Sequence, residues 1–353
     1  MKELTHQQKT SLIRKEIQAS YQKLKAQYPI LKYQNFWGLS IFVVSIAVVC
    51  LSAYLWWSGL IPTWAMVLIN AFFFGVLHEL EHDLIHWMYF KSNKLLHHFM
   101  LFVIWILRPL TINPWVRRQL HYHHHKYSGT LHDVEERGVT NGERWSIKRL
   151  LLTADLVLGG LFRVGSMFRD IDTEAKEGRL KPDLAKKLKR YALTGIFPVT
   201  VFAHGLVYLI LINWGLDLLN LRFHTGFVLP EVLKDFIQWI QPLVYVVILP
   251  NIIRQFSLHF ITSNLHYFGD VENGNVIEQT QVINVWWTFP LQLFCFFFGW
   301  THAIHHFVVN ETFYVRHLAR KSAYRAMRAY GVRFNDMGTF FRANRFHFDL
   351  DHI

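Results

Sequence analysis

Three short boxes of histidine are the part of this sequence with the clearest capacity for chemistry. The first box is His78-x-x-x-His82, and the same spacing continues to His86. Positions four apart share one face of an α-helix, so these rings form a stripe at the end of an apolar run. Three imidazoles in such a place are costly to bury without a common partner, and the natural partner is a metal ion.

The second and third boxes share the spacing His-x-x-His-His. They are His121-x-x-His124-His125 and His302-x-x-His305-His306. On a helix, positions i, i+3 and i+4 lie within about 100° of one another, so each box directs three imidazoles toward one centre. His266 follows an apolar stretch, with His259 and Asn264 near it in the sequence. The boxes therefore predict a metal centre built from several segments.

The number of histidines bears on the number of ions. A zinc site takes about four ligands. The boxes together with His266 offer more ligands than a single ion binds. Two ions that share the set fit better. Imidazole suits iron, zinc and copper alike, so the spacing does not identify the metal. The carboxylates near the boxes are either acceptors for ring N–H groups or solvated charges; they are Glu79, Glu81, Asp83, Asp133, Glu135, Glu136 and Asp270.

The composition predicts a membrane protein. Of 353 residues, 52% are hydrophobic and 16% aromatic, which is too apolar for an ordinary soluble domain of this length. The formal net charge of +12 indicates basic cytoplasmic loops, and no nucleic-acid partner is expected. The two cysteines, Cys50 and Cys295, have no metal-ligand spacing. Iron–sulfur, rubredoxin-like and thiolate–zinc sites within this chain are therefore not expected, nor is a disulfide.

Apolar runs and charge define the predicted elements. We expect four membrane spans, at 36–60, 63–77, 193–214 and 240–260. Two partial insertions are expected at 99–110 and 285–300, and an outer loop at 215–239. Residues 1–35 predict an amphipathic helix, either on a membrane surface or packed on the domain. The basic segments fall on the side of the histidines, which the positive-inside rule assigns to the cytoplasm.

The predicted fold is an all-α integral membrane protein with about four transmembrane helices and a cytoplasmic helical cap that carries a histidine-rich dimetal site. One domain covers residues 1–353. It begins with an amphipathic segment (1–35) and a first helical hairpin (36–110). A cytoplasmic segment (111–192), a second hairpin (193–260) and a cytoplasmic cap with a basic tail (261–353) follow.

The three boxes, their order and the short hairpins resemble the integral-membrane fatty acid desaturase and hydroxylase superfamily over residues 36–307. The resemblance implies two iron ions held by the box histidines and one further histidine: His78, His82, His121, His124, His125, His302, His305 and His306, with His266 as the further ligand. The extra His86 makes His82/His86 an alternative to His78/His82. Some desaturases have an asparagine four residues before the further histidine, where this chain has Thr262; Asn264 is a candidate ligand through water.

The resemblance also implies O₂ as co-substrate and attack on a C–H bond of a fatty acid or other acyl-chain lipid. Desaturation is the first expectation, with hydroxylation and oxidative decarboxylation to a terminal alkene as alternatives. An alkene-forming decarboxylase branch is similar around His82-Asp83-x-x-His86. Since no His-Pro-Gly-Gly cytochrome b5 signature occurs, a separate electron donor is expected: a ferredoxin, a rubredoxin or a cytochrome with its reductase. The expected location is a bacterial inner membrane, with the active site facing the cytoplasm.

Two other classes of protein compete with this interpretation. His78-Glu79-x-x-His82 matches the motif of zinc metalloproteases, in which the glutamate is the general base. That class leaves both His-x-x-His-His boxes unexplained. A metal transporter usually places its ligands near the bilayer midplane, whereas these histidines lie at helix ends. Arg117, Arg118 and Lys126 are candidates to hold a carboxylate or thioester head group, although basic residues beside a membrane are common.

Overall fold

The computed structural model describes residues 4–139, 142–193 and 197–347. The described residues form helices and no strands; their β-structure consists of isolated bridges. The all-α prediction is confirmed. The helices are α1 His6–Gln27, α2 Gln34–Trp57, α3 Thr63–Ile85, α4 Lys94–Leu107, α5 Pro114–Tyr127, α6 Val134–Arg137, α7 Ile147–Ala154, α8 Leu156–Lys176, α9 Pro182–Tyr191, α10 Phe197–Phe223, α11 Glu231–Leu243, α12 Leu249–Leu265, α13 Val276–Gln279, α14 Phe289–Phe294, α15 Phe298–Phe307 and α16 Phe313–Ala329.

Four helical stretches are long and apolar enough to cross a membrane, as predicted: Gln34–Trp57, Thr63–Ile85, Val199–Phe223 and Glu231–Leu265. The second is longer than the predicted 63–77, so His78 and His82 lie inside α3 and His86 caps its end. The apolar helix α4 has 14 residues, too few to span about 30 Å of hydrocarbon.

The predicted outer loop at 215–239 is wrong over most of its length. Helix α10 continues to Phe223 and α11 begins at Glu231. Gly215 does not end α10, because glycine weakens a helix by only about 1 kcal/mol. The chain turns instead at His224 and Gly226, which both have positive φ. Two long antiparallel helices thus replace the shorter predicted pair.

A polar contact inside the apolar layer holds α12 against α3. Pro250 has no N–H, so the carbonyl of Val246 lacks its helical donor. Asn70 of α3 supplies one, because its Nδ2 donates to this oxygen at 3.0 Å. A π-helical turn at Val244–Ile248 lies at the same place. The contact fixes the register of two helices that both run toward the histidines.

The N-terminal helix α1 packs on the domain, which is one of the two predicted alternatives. Ile13, Ile17 and Tyr21 are buried against Ala323 and Met327 of α16. Lys25 also forms an ion pair with Glu311 at 2.7 Å. The apolar stripe of α1 therefore helps to hold α16 in place.

A close approach between α3 and α14 yields a test of the packing. A Cβ added at Gly75 would lie 2.5 Å from the carbonyl oxygen of Phe294. We expect Gly75→Ala to destabilise the protein by roughly 1–3 kcal/mol, because a backbone carbonyl cannot yield to it without a shift of α14. Thermal unfolding in detergent measures the loss. Gly205→Ala is the matched control on another span, since a Cβ there meets nothing within 4 Å; equal midpoints for the two variants would contradict the close packing.

Candidate metal centre

Four segments bring the histidines together. The first box lies at the end of α3, the second on α5, the third on α15, and His266 caps the end of α12. Helix α5 begins with Pro114 after Asn113, whose Oδ1 accepts from the backbone N–H of Val116 at 3.3 Å. Asparagine at the cap and proline at the first position both favour a helix start. Each box is therefore helical, as its spacing predicts.

Site A consists of His82, His86, His121 and His305, each with one ring nitrogen within 4.8 Å of the others. The Nε2 atoms of His82 and His121 are 3.0 Å apart, and those of His305 and His86 are 3.1 Å apart. Two nitrogens bound tetrahedrally to one ion at about 2.1 Å are about 3.4 Å apart. The spacing at site A thus suits a single metal ion.

Site B consists of His124, His266, His302 and His306, again within 4.8 Å of one another. Nε2 of His302 lies 3.0 Å from Nε2 of His266 and 3.1 Å from Nε2 of His306. All four side chains are buried. Sites A and B are neighbours, because α15 contributes the consecutive His305 and His306 to them, and α5 contributes His121 and His124, which are one helical turn apart.

Two predicted ligands lie outside these groups. Nε2 of His125 is 3.1 Å from Nε2 of His121 and of His305, so His125 stands at the edge of site A. His78 lies apart: its Nδ1 is 2.9 Å from Nη1 of Arg108, and neither of its nitrogens belongs to site A or B. The structure therefore groups His86, and not His78, with the other boxes.

Helix α6 and its cap supply carboxylates to three of the rings. The distances from the ring Nδ1 to the carboxylate oxygen are 2.9 Å for His121 and Glu135, 2.7 Å for His124 and Asp133, and 3.2 Å for His266 and Glu136. Metal-binding histidines commonly donate their second N–H to a carboxylate, which fixes the tautomer and the ring orientation. A proton on Nδ1 leaves the lone pair of Nε2 free to bind an ion.

Not every acidic or amide residue near the boxes has this role. Glu81 forms ion pairs with Arg108 and Arg117, and the carboxylate of Asp270 accepts from the backbone N–H of Phe346 at 2.9 Å. Asn264 Oδ1 accepts from the hydroxyl of Thr339 at 2.6 Å. These side chains hold the surrounding structure.

Burial controls the charge of the rings. Burial and neighbouring histidines lower the pKa of His302 and His306 well below 6.5, so both rings are neutral at pH 7. Burial also opposes a charge on His124, but the nearby carboxylate of Asp133 outweighs it and raises the pKa of His124 to about 10. A metal ligand must be unprotonated at the binding nitrogen, so an ion at site B displaces a proton from His124.

Arg316 connects site A to α3. Its Nη1 lies 2.7 Å from Nδ1 of His305, and its Nη2 lies 3.2 Å from Oδ1 of Asp83. A guanidinium only donates, so Nδ1 of His305 is the acceptor in this contact. A metal ion at site A would bind the other ring nitrogen, Nε2, in place of a proton. The imidazole donors of both sites thus fit divalent metal ions.

A cavity of about 290 Å³ lies beside both sites. Histidines of each site line it, namely His82, His121, His124, His266 and His302. Much of the remaining lining is apolar: Leu110, Ile112, Leu120, Val139, Val157, Val201, Leu258 and Phe298. An apolar cavity with a few polar groups is typical of a small-molecule site and suits a hydrocarbon chain.

Three fully buried arginines lie near the site and were not among the predicted site residues: Arg108, Arg254 and Arg316. For Arg254 a signal existed, because it lies inside the fourth predicted span. A charged residue within a membrane span is costly and therefore usually functional.

Fold and site define a helical membrane protein with two adjoining histidine clusters beside an apolar cavity. The family model described as fatty acid desaturase matches residues 60–338, most of the 353-residue chain. The chain therefore belongs to the fatty acid desaturase family, and the resemblance inferred from the boxes is confirmed. A search of curated proteins found no match. At the level of the family, the function is oxidation of fatty acyl substrates by a membrane oxidoreductase.

The contact between His124 and Asp133 yields a test of site B. We expect Asp133→Asn to lower the metal affinity of site B about 10- to 100-fold, because the amide no longer fixes the Nδ1–H tautomer. Competition with a chromogenic chelator measures the affinity. Glu174→Gln is the control, since Glu174 accepts from Nδ1 of His132 at 3.0 Å, outside both sites. An equal loss in the two variants would mean that Asp133 acts only on the fold.

Proposed function

We propose that this chain is a membrane-bound di-iron enzyme that uses O₂ to oxidise a fatty acyl chain by desaturase-type attack on a C–H bond. The observation that carries the proposal is the pair of histidine sites beside one apolar cavity, in a chain of the fatty acid desaturase family. Imidazole ligands are compatible with iron. Hydroxylation and oxidative decarboxylation to a terminal alkene begin with the same C–H step and remain the alternatives.

Two irons bound at these sites supply O₂ activation and hydrogen abstraction from an unactivated C–H bond. The residues of the chain prepare the site for that chemistry. The apolar lining binds the acyl chain and excludes water from it. Asp133 and Glu135 orient His124 and His121, and Arg316 holds His305. Rings held in this way, together with a lining that confines the chain, would direct attack to one carbon.

For the ions we propose a ligand set that uses the His82/His86 alternative of the first box. The set is His82, His86, His121, His125 and His305 at site A and His124, His266, His302 and His306 at site B. Support comes from the Nε2 distances within each site and from His78, whose Nδ1 contacts Arg108 instead. His78 was part of the predicted set, and its role as a ligand stays a prediction with no support from this geometry.

We further propose that a separate ferredoxin, rubredoxin or cytochrome with its reductase supplies the electrons. Cys50 lies on α2 and Cys295 follows α14, and both are free, so the chain offers no cysteine pair for a cluster of its own. Helices α9 and α16, which pack on α5 and α15, are rich in lysine and arginine. This charge supports a site that faces the cytoplasm, and the membrane that we propose is a bacterial inner membrane.

The competing classes have weaker support. A zinc protease needs His78 and His82 on one ion with Glu79 beside it. Instead, His78 contacts Arg108, and Oε2 of Glu79 lies 3.7 Å from Nη2 of Arg316. A metal transporter places ligands at mid-membrane, whereas sites A and B lie where α3 and α12 end.

Product analysis tests the proposed reaction. Expression in a host fed with one defined fatty acid is expected to yield a new lipid by mass spectrometry. An added double bond, an added hydroxyl group or a terminal alkene one carbon shorter distinguishes desaturation, hydroxylation and decarboxylation. Metal analysis of the purified protein is expected to find two irons per chain. Active protein that contains zinc and no iron would exclude the di-iron proposal.

The ligand set has its own test in a matched pair of variants. We expect His86→Ala to lose iron from site A, because it removes one of the five nitrogens proposed to hold the ion there. His78→Ala is expected to keep both irons, since its ring contacts Arg108. Iron content and the Mössbauer spectrum of each purified variant measure the outcome. The reverse pattern would assign the first box to His78 and His82.

A further inference from the structure

Arg254 is a buried arginine in the fourth span without an acidic partner. Its exposed fraction is 0%. Nε lies 3.3 Å from Oδ1 of Asn251, Nη2 lies 2.6 Å from Oε1 of Gln255, and Nη1 has no hydrogen-bond partner. No carboxylate in 4–139, 142–193 or 197–347 forms an ion pair with it. A buried charge left this way is strongly unfavourable unless a ligand compensates it.

The other fully buried arginines of the described chain have partners of two kinds. Arg108 pairs with Glu81, and Arg316 pairs with Asp83. Arg149 donates to the carbonyl oxygen of Ser263 at 2.7 Å and to Oδ1 of Asn344 at 2.8 Å. Arg254 differs from Arg108 and Arg316 in having no carboxylate partner, and from Arg149 in lining the cavity beside the histidine sites.

The side chain of Arg254 lines the cavity beside the histidine sites. Leu258, Thr262 and His266 follow at intervals of four residues on the same face of α12. The first two line the cavity as well, and so does His266 of site B.

The contact between Asn70 and Val246 sets the depth of Arg254. At this contact α3 and α12 run in the same direction. Arg254 is eight residues after Val246 and His78 is eight residues after Asn70, so Arg254 lies level with His78. This is one helical turn, about 5.4 Å, before His82. A group bound by Arg254 therefore lies close to site A.

We propose that Arg254 binds the carboxylate of a free fatty acid whose chain lies in the cavity. A guanidinium matches a carboxylate in charge and in its pair of donors. The bound head group lies inside the cavity, where Arg254 is fully buried. A thioester carbonyl carries no charge and leaves the guanidinium uncompensated, whereas a carboxylate neutralises it. This proposal rests on the proposed function for the identity of the chain, and it places the carbons nearest the carboxyl group beside the sites.

Neighbouring groups support an anion at this point. Arg108 donates to Nδ1 of His78, so the neutral His78 ring carries its proton on Nε2, a buried atom without a partner. His78 lines the same cavity and adds a second donor. The two glutamates of the lining, Glu135 and Glu136, face His121 and His266.

A binding experiment on the full-length protein in lipid nanodiscs tests the proposal. Dodecanoic acid and its methyl ester compete with a fluorescent polyene fatty acid. We expect the native protein to bind the acid roughly 10- to 100-fold more tightly than the ester, the range for a charge-assisted hydrogen bond. Arg254→Gln is expected to bring the ratio near one, and Arg254→Lys to restore part of it. Arg222→Gln, which removes an exposed charge from α10, keeps the native ratio.

A preference for the acid that persists in Arg254→Gln would overturn the proposal, as would equal binding of acid and ester by the native protein. Loss of folding is checked by thermal unfolding without fatty acid. Because removal of Arg254 leaves no carboxylate without a partner, Arg254→Gln is expected to unfold at the native temperature or above it. Failure of the proposed function appears separately, as missing iron or missing oxidised lipid, because the ratio of acid to ester is a binding measurement alone.

Discussion

Burial of polar rings within an apolar protein is the constraint on which the rest of this structure depends. Each imidazole, carboxylate or guanidinium removed from water needs a partner that replaces the lost hydrogen bonds. Helix α6, with only four residues, and its cap meet this need for His124 and His121 through Asp133 and Glu135, and Glu136 lies 3.2 Å from Nδ1 of His266. The carboxylates of this short segment therefore set the orientation of histidine rings that belong to longer helices.

A second network ties the helices that carry site A to each other. Asp83 of α3 accepts from the hydroxyl of Tyr89 at 3.0 Å, from the backbone N–H of Phe313 at 2.9 Å and from Arg316. Arg316 in turn contacts His305. Breaking one member of a buried ionic network leaves its partners uncompensated, at a cost of about 3–5 kcal/mol. The network thus couples the positions of α3, α15 and α16, and with them the geometry of site A.

Arg254 shows the opposite arrangement. Natural proteins depart from full compensation of buried charge chiefly at functional sites, where stability is exchanged for binding. Arg108 and Arg316 each pair with a carboxylate and so hold helices together. Nη1 of Arg254 has no hydrogen-bond partner, and the side chain lines the cavity. Buried residues of the same type therefore differ in role through their neighbours alone.

The sequence by itself determined the elements and the residue types of the site. Apolar runs predicted the four spans, and the spacing of the boxes predicted that His121, His124 and His125 share one helix face, because periodicity depends only on local backbone geometry. Spacing also gave His78, His82 and His86 equal standing, since all three lie on one stripe of α3. Only the tertiary structure grouped His86 with His305, matched α6 to the rings and left Arg254 unpaired. These choices depend on the rotation and depth of separate helices against one another, which no single segment of sequence contains.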